Sequence, residues 1–254
     1  MKALFIVGFW NSGTTLLVDV LRKHPDLSLR KAKYKPNLEE RTIKKILNKL
    51  GTDFWDFSDT YEEVVKNGFQ NYHEPQLTES QQVRFRKLFN WHFWTRQSKI
   101  LLLKNPYLFY FYNFINTIFK KDDIRKVVIL RNGYSQVVSK DYWKKGKIEP
   151  EKHLISRAIF WKKSMERYFH TWYNDKRCLT IRYENLSANP ELTIKQICEF
   201  LEIPFEPLQE TIPSAIENRM TKWNNLDKQL KSKVMVEIEE VQQKIDTYFP
   251  IIEK

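Results

Sequence analysis

Leu4-Phe5-Ile6-Val7-Gly8-Phe9-Trp10-Asn11-Ser12-Gly13-Thr14-Thr15-Leu16-Leu17 sets a strand, a glycine-spaced loop and a helix in direct succession. Leu4–Val7 is apolar on both faces, the pattern of a strand buried in a parallel sheet. The helix is expected to start at Thr14 and stop before Pro25, with Leu17, Val20 and Leu21 on its buried face. In such a loop the backbone N–H groups point inward and the helix N-terminus adds partial positive charge, so the segment is a phosphate cradle. Both glycines and Thr15 have Walker A spacing, yet Thr14 stands where that motif carries lysine. A nucleoside triphosphatase needs the lysine on its β- and γ-phosphates, beside a metal. A ligand with one 5′ phosphate-linked leaving group needs neither.

Three more runs of the same kind follow: Ile100–Leu103, Lys126–Leu130 and Leu179–Ile181. Helical patterns lie between them, so the expected class is α/β, a parallel central sheet with helices on both faces. Residues 1–254 read as a single domain of the P-loop NTPase type. Asn189 caps a helix from Pro190 to Leu201, with Ile194, Ile197, Cys198 and Leu201 on one face. Leu226, Leu230, Val234, Ile238, Val241 and Ile245 mark a long C-terminal helix. Residues 30–99 break the rhythm and read as a helical, substrate-facing insertion over the carboxyl edge of the sheet, where ligands bind in such folds. Its aromatic clusters, Phe54-Trp55-Asp56-Phe57 and Trp91-His92-Phe93-Trp94, are read as packing rather than ligand contacts.

The chain carries 43 Lys and Arg against 31 Asp and Glu, a net charge of +12. A positive field of that size speeds the approach of a polyanionic ligand. Nucleic acid is disfavoured as a partner, since no basic helix or stripe is present. Cys178 and Cys198 are too few for a disulfide scaffold and lack metal-ligand spacing, so no metal is expected. The N-terminal apolar run is too short for a signal peptide, and no stretch reaches the 18 or so apolar residues of a membrane span. A cytoplasmic location is expected, with no integral membrane segment.

A second anion site lies further on. Val127-Val128-Ile129-Leu130-Arg131-Asn132-Gly133 ends the third run, and Tyr134 to Trp143 reads as a helix that holds Ser139 in its second or third turn. An arginine at a strand end and a hydroxyl on the following helix together grip a phosphate.

The two segments together resemble the sulfotransferases that use 3′-phosphoadenosine 5′-phosphosulfate (PAPS). Ser12–Thr15 looks like their 5′-phosphosulfate loop, and Arg131 with Ser139 matches their 3′-phosphate pair at the family spacing. Leu103-Lys104-Asn105-Pro106 is similar to the Lys-Asp-Pro element of the tyrosylprotein sulfotransferase branch. Ile181-Arg182-Tyr183-Glu184-Asn185-Leu186, then Asn189-Pro190-Glu191, resembles its Arg-Tyr-Glu-Asp-Leu and Asn-Pro-Glu segment. Thr221-Lys222-Trp223 resembles a late Ser-Lys-Trp loop that covers the nucleotide. The resemblance implies a sulfotransferase fold of the bacterial single-domain type. It also implies PAPS as co-substrate, adenosine 3′,5′-bisphosphate as product, and no metal. Ser12, Gly13, Thr14 and Thr15 would hold the 5′ end, and Arg131 and Ser139 the 3′-phosphate. Tyr183 would line the nucleotide, Thr221 and Lys222 would close over it, and Lys104 would approach the transferring sulfuryl group.

Two departures bear on the chemistry. The family usually has Lys or Arg just before Ser-Gly-Thr-Thr; here Asn11 offers one neutral hydrogen bond, so Lys104 must carry more of the charge. After His24-Pro25-Asp26, where the tyrosylprotein branch has its glutamate base, this chain has no carboxylate, which disfavours protein tyrosine as acceptor. The expected acceptor is a glycan, a lipid-linked sugar or a small metabolite. His73 or Glu74 is the first choice of general base and Glu39 or Glu40 the second. The competing readings are a P-loop kinase or NTPase, against which Thr14 argues, and a non-catalytic nucleotide-binding relative, motivated by Asn11.

Overall fold

The computed structural model describes residues 2–28, 38–52, 73–93, 100–120, 123–139, 150–207 and 220–252. Five strands form one sheet: β1 (Lys2–Val7), β2 (Leu27–Ser28), β3 (Ile100–Lys104), β4 (Asp123–Leu130) and β5 (Cys178–Arg182). Their order is β2-β3-β1-β4-β5, and every pairing is parallel. The four expected strands are there; β2, two residues on the outer side of β3, is too short to leave a periodic signal.

Ten α-helices surround the sheet among the described residues, with a 3-10 helix at Pro106–Tyr110. They are α1 (Thr14–Leu21), α2 (Leu38–Lys49), α3 (Glu79–Phe93), α4 (Tyr112–Ile118), α5 (Gly133–Val137), α6 (Pro150–His170), α7 (Tyr183–Ala188), α8 (Pro190–Leu201), α9 (Met220–Asn224) and α10 (Lys228–Tyr248). Alternation along β1 sends Leu4 and Ile6 to one face, against Leu17, Val18, Leu186 and Ile194 of α1, α7 and α8. Ala3, Phe5 and Val7 face the other way, into a larger core with Ile43, Phe89, Phe114, Trp161 and Ile238. Both faces are thus covered, which is why the strands read as continuous apolar runs.

Lys126 is the exception within β4. It is fully buried on the larger core face, and its Nζ donates to Asp175 Oδ2 at 2.7 Å and Asn116 Oδ1 at 2.6 Å. A buried ammonium survives only with such partners. α8 begins at Pro190 as expected, although the Asn189 side chain makes no capping bond and donates instead to Ile252 O. In the inserted region α2 and α3 are helical; Phe54-Trp55-Asp56-Phe57 and Trp94 lie outside the described residues. Phe85, Phe89 and Phe93 are buried as packing residues, whereas Trp91 is 77% exposed.

Candidate active site

The sheet order places three chain segments side by side at its carboxyl edge. β1 lies between β3 and β4, so the loop after β1 has Lys104 on one flank and Arg131 on the other. Gly8 is required because the loop folds back tightly: a Cβ there would lie 2.5 Å from Ser12 Oγ and 2.7 Å from Ile129 O. Asn11 and Gly13 take left-handed backbone angles, φ 61° and 102°. Asparagine tolerates that region, and glycine alone enters it freely. A side chain at Gly13 would also meet Tyr183 at 2.3 Å. With glycine at the N-cap, α1 has no side-chain cap, so its first turn offers backbone N–H groups to a ligand. Ser12 Oγ is buried and has no hydrogen-bond partner among the described residues. A buried hydroxyl of this kind costs about 1–3 kcal/mol unless something binds it. A phosphate oxygen in the loop fits that need.

Arg131 leaves the end of β4 with its guanidinium fixed on three sides. Nη1 donates to Asn11 O at 3.1 Å, Nε donates to Ser135 Oγ at 3.2 Å, and the group lies 4.1 Å from the centre of the Tyr183 ring. Tyr183 therefore supports Arg131 from below, through a cation–π contact. Asn11 continues the chain of contacts by donating from Nδ2 to Ser139 Oγ at 3.0 Å. The loop after β1 and the Arg131/Ser139 pair are thus one connected structure.

Ser139 does not lie inside a helix, contrary to expectation. α5 ends at Val137, and Ser139 N donates to Gln136 O at 3.2 Å in a tightened last turn. The reason is tertiary: Arg157 of α6 donates from Nη2 to the same Gln136 O at 2.9 Å and to Ser139 Oγ at 3.3 Å. Residues 140–149, Trp143 included, lie outside the described set.

Several residues that sequence reasoning passed over hold this geometry. Gln136 donates from Nε2 to Trp10 O at 2.7 Å and accepts from Trp161 Nε1 at 2.9 Å, tying the loop to α6. Glu184 accepts from Asn132 N and from Arg182 Nε, and Gln242 accepts from Gly133 N, which pins the turn after Arg131. The one sequence signal was on α6, where His153 and Arg157 interrupt an apolar stripe formed by Leu154, Ala158, Trp161 and Met165. All six are buried. Burial, and next the Arg157 guanidinium, hold His153 below the ordinary histidine range.

His153 therefore takes up its proton at lower pH in the fold than in the unfolded chain, where it does so at about pH 6.5. Stability from this residue is complete above that pH and falls as the pH drops through it toward the depressed folded value. Thermal melts should show His153→Gln losing part of the acid decline between about pH 7 and 5. Parallel curves for the two proteins would remove His153 as its source.

Lys104 closes β3 and is only 3% exposed; the next residue, Asn105, donates its N–H to Ile6 O of β1. Thr221 and Lys222 lie exposed on α9, which docks on α5 through Trp223 against Tyr134, ring centres 4.7 Å apart. Thr14 is buried and Thr15 is exposed. His73 is exposed. Glu74 differs: it is buried, accepts from Phe114 N at the start of α4 and from Asn113 Nδ2, and pairs with Arg167 at 3.0 Å. That carboxylate joins α4 to α6. The side chains of Glu39 and Glu40 lie outside the described residues.

The fold defines a class: a parallel α/β protein with a glycine-spaced loop after its first strand, no lysine in that loop, and a cationic side chain at the end of each neighbouring strand. The family profile of sulfotransferases matches residues 3–207, and the chain belongs to the sulfotransferase family. Its fold is shared by a sulfotransferase from Alicyclobacillus acidocaldarius, 12% identical, TM-score 0.56, covering 100% of this chain and 97% of that one. It is shared by the sulfotransferase domain of the Synechococcus PCC 7002 olefin synthase, 16% identical, TM-score 0.53, covering 96% and 94%. The sulfotransferase domain from the curacin biosynthetic pathway, 18% identical, has TM-score 0.51 with 99% of both chains covered. No curated protein matches the sequence significantly. Among the described residues no helix is long and apolar enough to cross a membrane.

Proposed function

We propose that this sulfotransferase takes its sulfuryl group from PAPS and passes it to a hydroxyl of a glycan, a lipid-linked sugar or a small metabolite. One observation supports the reading: the unpartnered Ser12 hydroxyl and the Arg131/Ser139 pair are linked through Asn11, an arrangement suited to two anions. A nucleotide bearing a 5′-phosphosulfate and a 3′-phosphate has two such anions. Bound there, the donor supplies an activated sulfuryl group, whose transfer in line makes an oxygen–sulfur bond and leaves the bridging electron pair on the phosphate.

The chain's own residues would position the partners and stabilise charge. Ser12, Gly13, Thr14 and Thr15 hold the 5′ end, Arg131 and Ser139 hold the 3′-phosphate, and Tyr183 backs Arg131. Lys104 neutralises the charge growing on the leaving phosphate. Thr221 and Lys222 of the docked α9 close the nucleotide side. With Glu74 engaged structurally, His73 is the group proposed to take the acceptor's proton. Trp10, half-buried against Phe9 and Phe160, gives the loop an aromatic flank suited to a sugar or planar ring. The two free thiols suit the cytoplasm, the compartment proposed for the reaction.

Calorimetry with adenosine 3′,5′-bisphosphate, and separately with ATP and magnesium, tests the reading. Tight binding of the former alone is expected; preference for ATP would move the protein to the kinases. Arg131→Ala should weaken adenosine 3′,5′-bisphosphate by about 1.5–3 kcal/mol, the scale of a hydrogen bond to a charged group. Affinity for adenosine 5′-phosphate should stay nearly constant, and equal losses for both would show that Arg131 does not read the 3′-phosphate.

A further inference from the structure

Asn132, Gly133 and Tyr134 follow Arg131 directly, and a side chain from elsewhere in the fold holds each of the three. Asn132 N donates to Glu184 Oε1 at 2.8 Å, Gly133 N to Gln242 Oε1 at 2.7 Å, and the Tyr134 hydroxyl to Glu239 Oε2 at 3.2 Å. Glu239 and Gln242 lie on α10, and Asp246 completes their row at i, i+3 and i+7, one face of that helix. Asp246 Oδ1 accepts from Gln242 Nε2 and from Arg182 Nη1, both at 2.8 Å, and Arg182 Nε donates to Glu184 Oε2 at 3.0 Å. The bonds therefore form a closed circuit, from Asn132 N through Glu184, Arg182, Asp246 and Gln242 back to Gly133 N. Arg182 and Gln242 are 1% and 3% exposed, so water competes little for these bonds. Burial, and next the Glu239 carboxylate, push the Tyr134 hydroxyl up to about 12, so it keeps the proton it donates.

We infer that Gln242 and Asp246 of α10 are positioning residues for the nucleotide site, fixing the turn that aims Arg131 at the donor's 3′-phosphate. The inference rests on the reading of the site given above. Inside the turn, Arg131 Nε donates to Ser135 Oγ, Ser135 Oγ donates to Asn132 O, and Asn132 Oδ1 accepts from Ser135 N. The direction of the guanidinium thus follows the placement of residues 132–135, and α10 sets that placement from outside. A side chain aimed in advance loses less freedom when its anion binds, so the circuit raises affinity without touching the ligand. α10 carries none of the residues on which the family resemblance rests.

Calorimetry on the purified whole chain, well below its melting temperature, compares adenosine 3′,5′-bisphosphate with adenosine 5′-phosphate. Gln242→Leu nearly keeps the volume and removes the acceptor for Gly133. Asp246→Ala opens the circuit at its half-exposed corner and carries the test if the leucine variant does not fold. Either change should weaken the bisphosphate about 3- to 10-fold and the monophosphate less than about 2-fold, the range of one hydrogen bond. Val241→Ala truncates the core side of the same helix and breaks no bond in the circuit. It should lower the melting temperature and leave the ratio of the two affinities unchanged. An unchanged ratio in the folded circuit variants, or an equal shift in Val241→Ala, would overturn the positioning role while leaving the donor reading standing. Failure of the unaltered protein to bind the bisphosphate would overturn both, and is seen before any variant is made.

Discussion

Lys104→Met is expected to cut turnover in a sulfate-transfer assay by about 100-fold or more, comparable to the loss of one charge-stabilising donor. Nucleotide affinity should hardly change. The side chain closes β3, beside the phosphate loop, and is 3% exposed. Charge grows on the leaving phosphate only as the sulfur–oxygen bond breaks, so a cation there acts mainly on the transition state. Asn11 is uncharged, and its amide is committed to Ser139. That leaves the duty with Lys104. Asn11→Lys should keep or raise the rate and should partly rescue Lys104→Met, against a backbone cost of roughly 1 kcal/mol for lysine at left-handed angles. Turnover near that of the unaltered protein in Lys104→Met would end the assignment.

Glu74→Ala is expected to cost about 3 kcal/mol of stability, the low end for breaking a buried ion pair, because Arg167 keeps some solvent. For a chain of this size the melting temperature should fall by roughly 6–12 °C. The loss has two parts: a guanidinium left without its partner, and the uncapped N–H of Phe114 at the start of α4. Turnover per folded molecule should change little. A general base would behave in the opposite way, losing about 100-fold or more in rate with a small change in melting, since base catalysis contributes 10²–10⁴-fold. His73→Ala in the same assay provides the contrast.

The sheet was legible because its strands are buried on both faces. Leu4–Val7, Ile100–Leu103 and Lys126–Leu130 have no polar alternation to confuse them with surface strands, and Pro190 and Asn189 mark the start of α8 by local stereochemistry. The loop was legible for a similar reason. Gly8 and Gly13 are demanded by backbone angles and close approach, which are properties of one short segment. The sequence also contained Arg131 and Ser139 at a suggestive spacing, although the helix drawn through Ser139 was too long.

What the chain's order of residues determined by itself was therefore local: which segments are strands, where the glycine-spaced loop lies, and that it has no lysine. The tertiary structure alone decided which distant groups share a charge or a proton. Glu74 reads as an exposed acid in an insertion, and only the packing of α4 on α6 makes it a clamp for Arg167. Arg157 reads as one more basic residue on a helix, and only the docking of α6 against α5 brings it to Ser139. Asn11 reads as a lost cation, and only the parallel pairing of β1 with β4 brings it to Arg131 and Ser139. Backbone preferences act over a few residues and leave periodic marks in sequence. Side-chain hydrogen bonds between residues 18 to 128 positions apart leave no such mark, because burial and geometry select the partner.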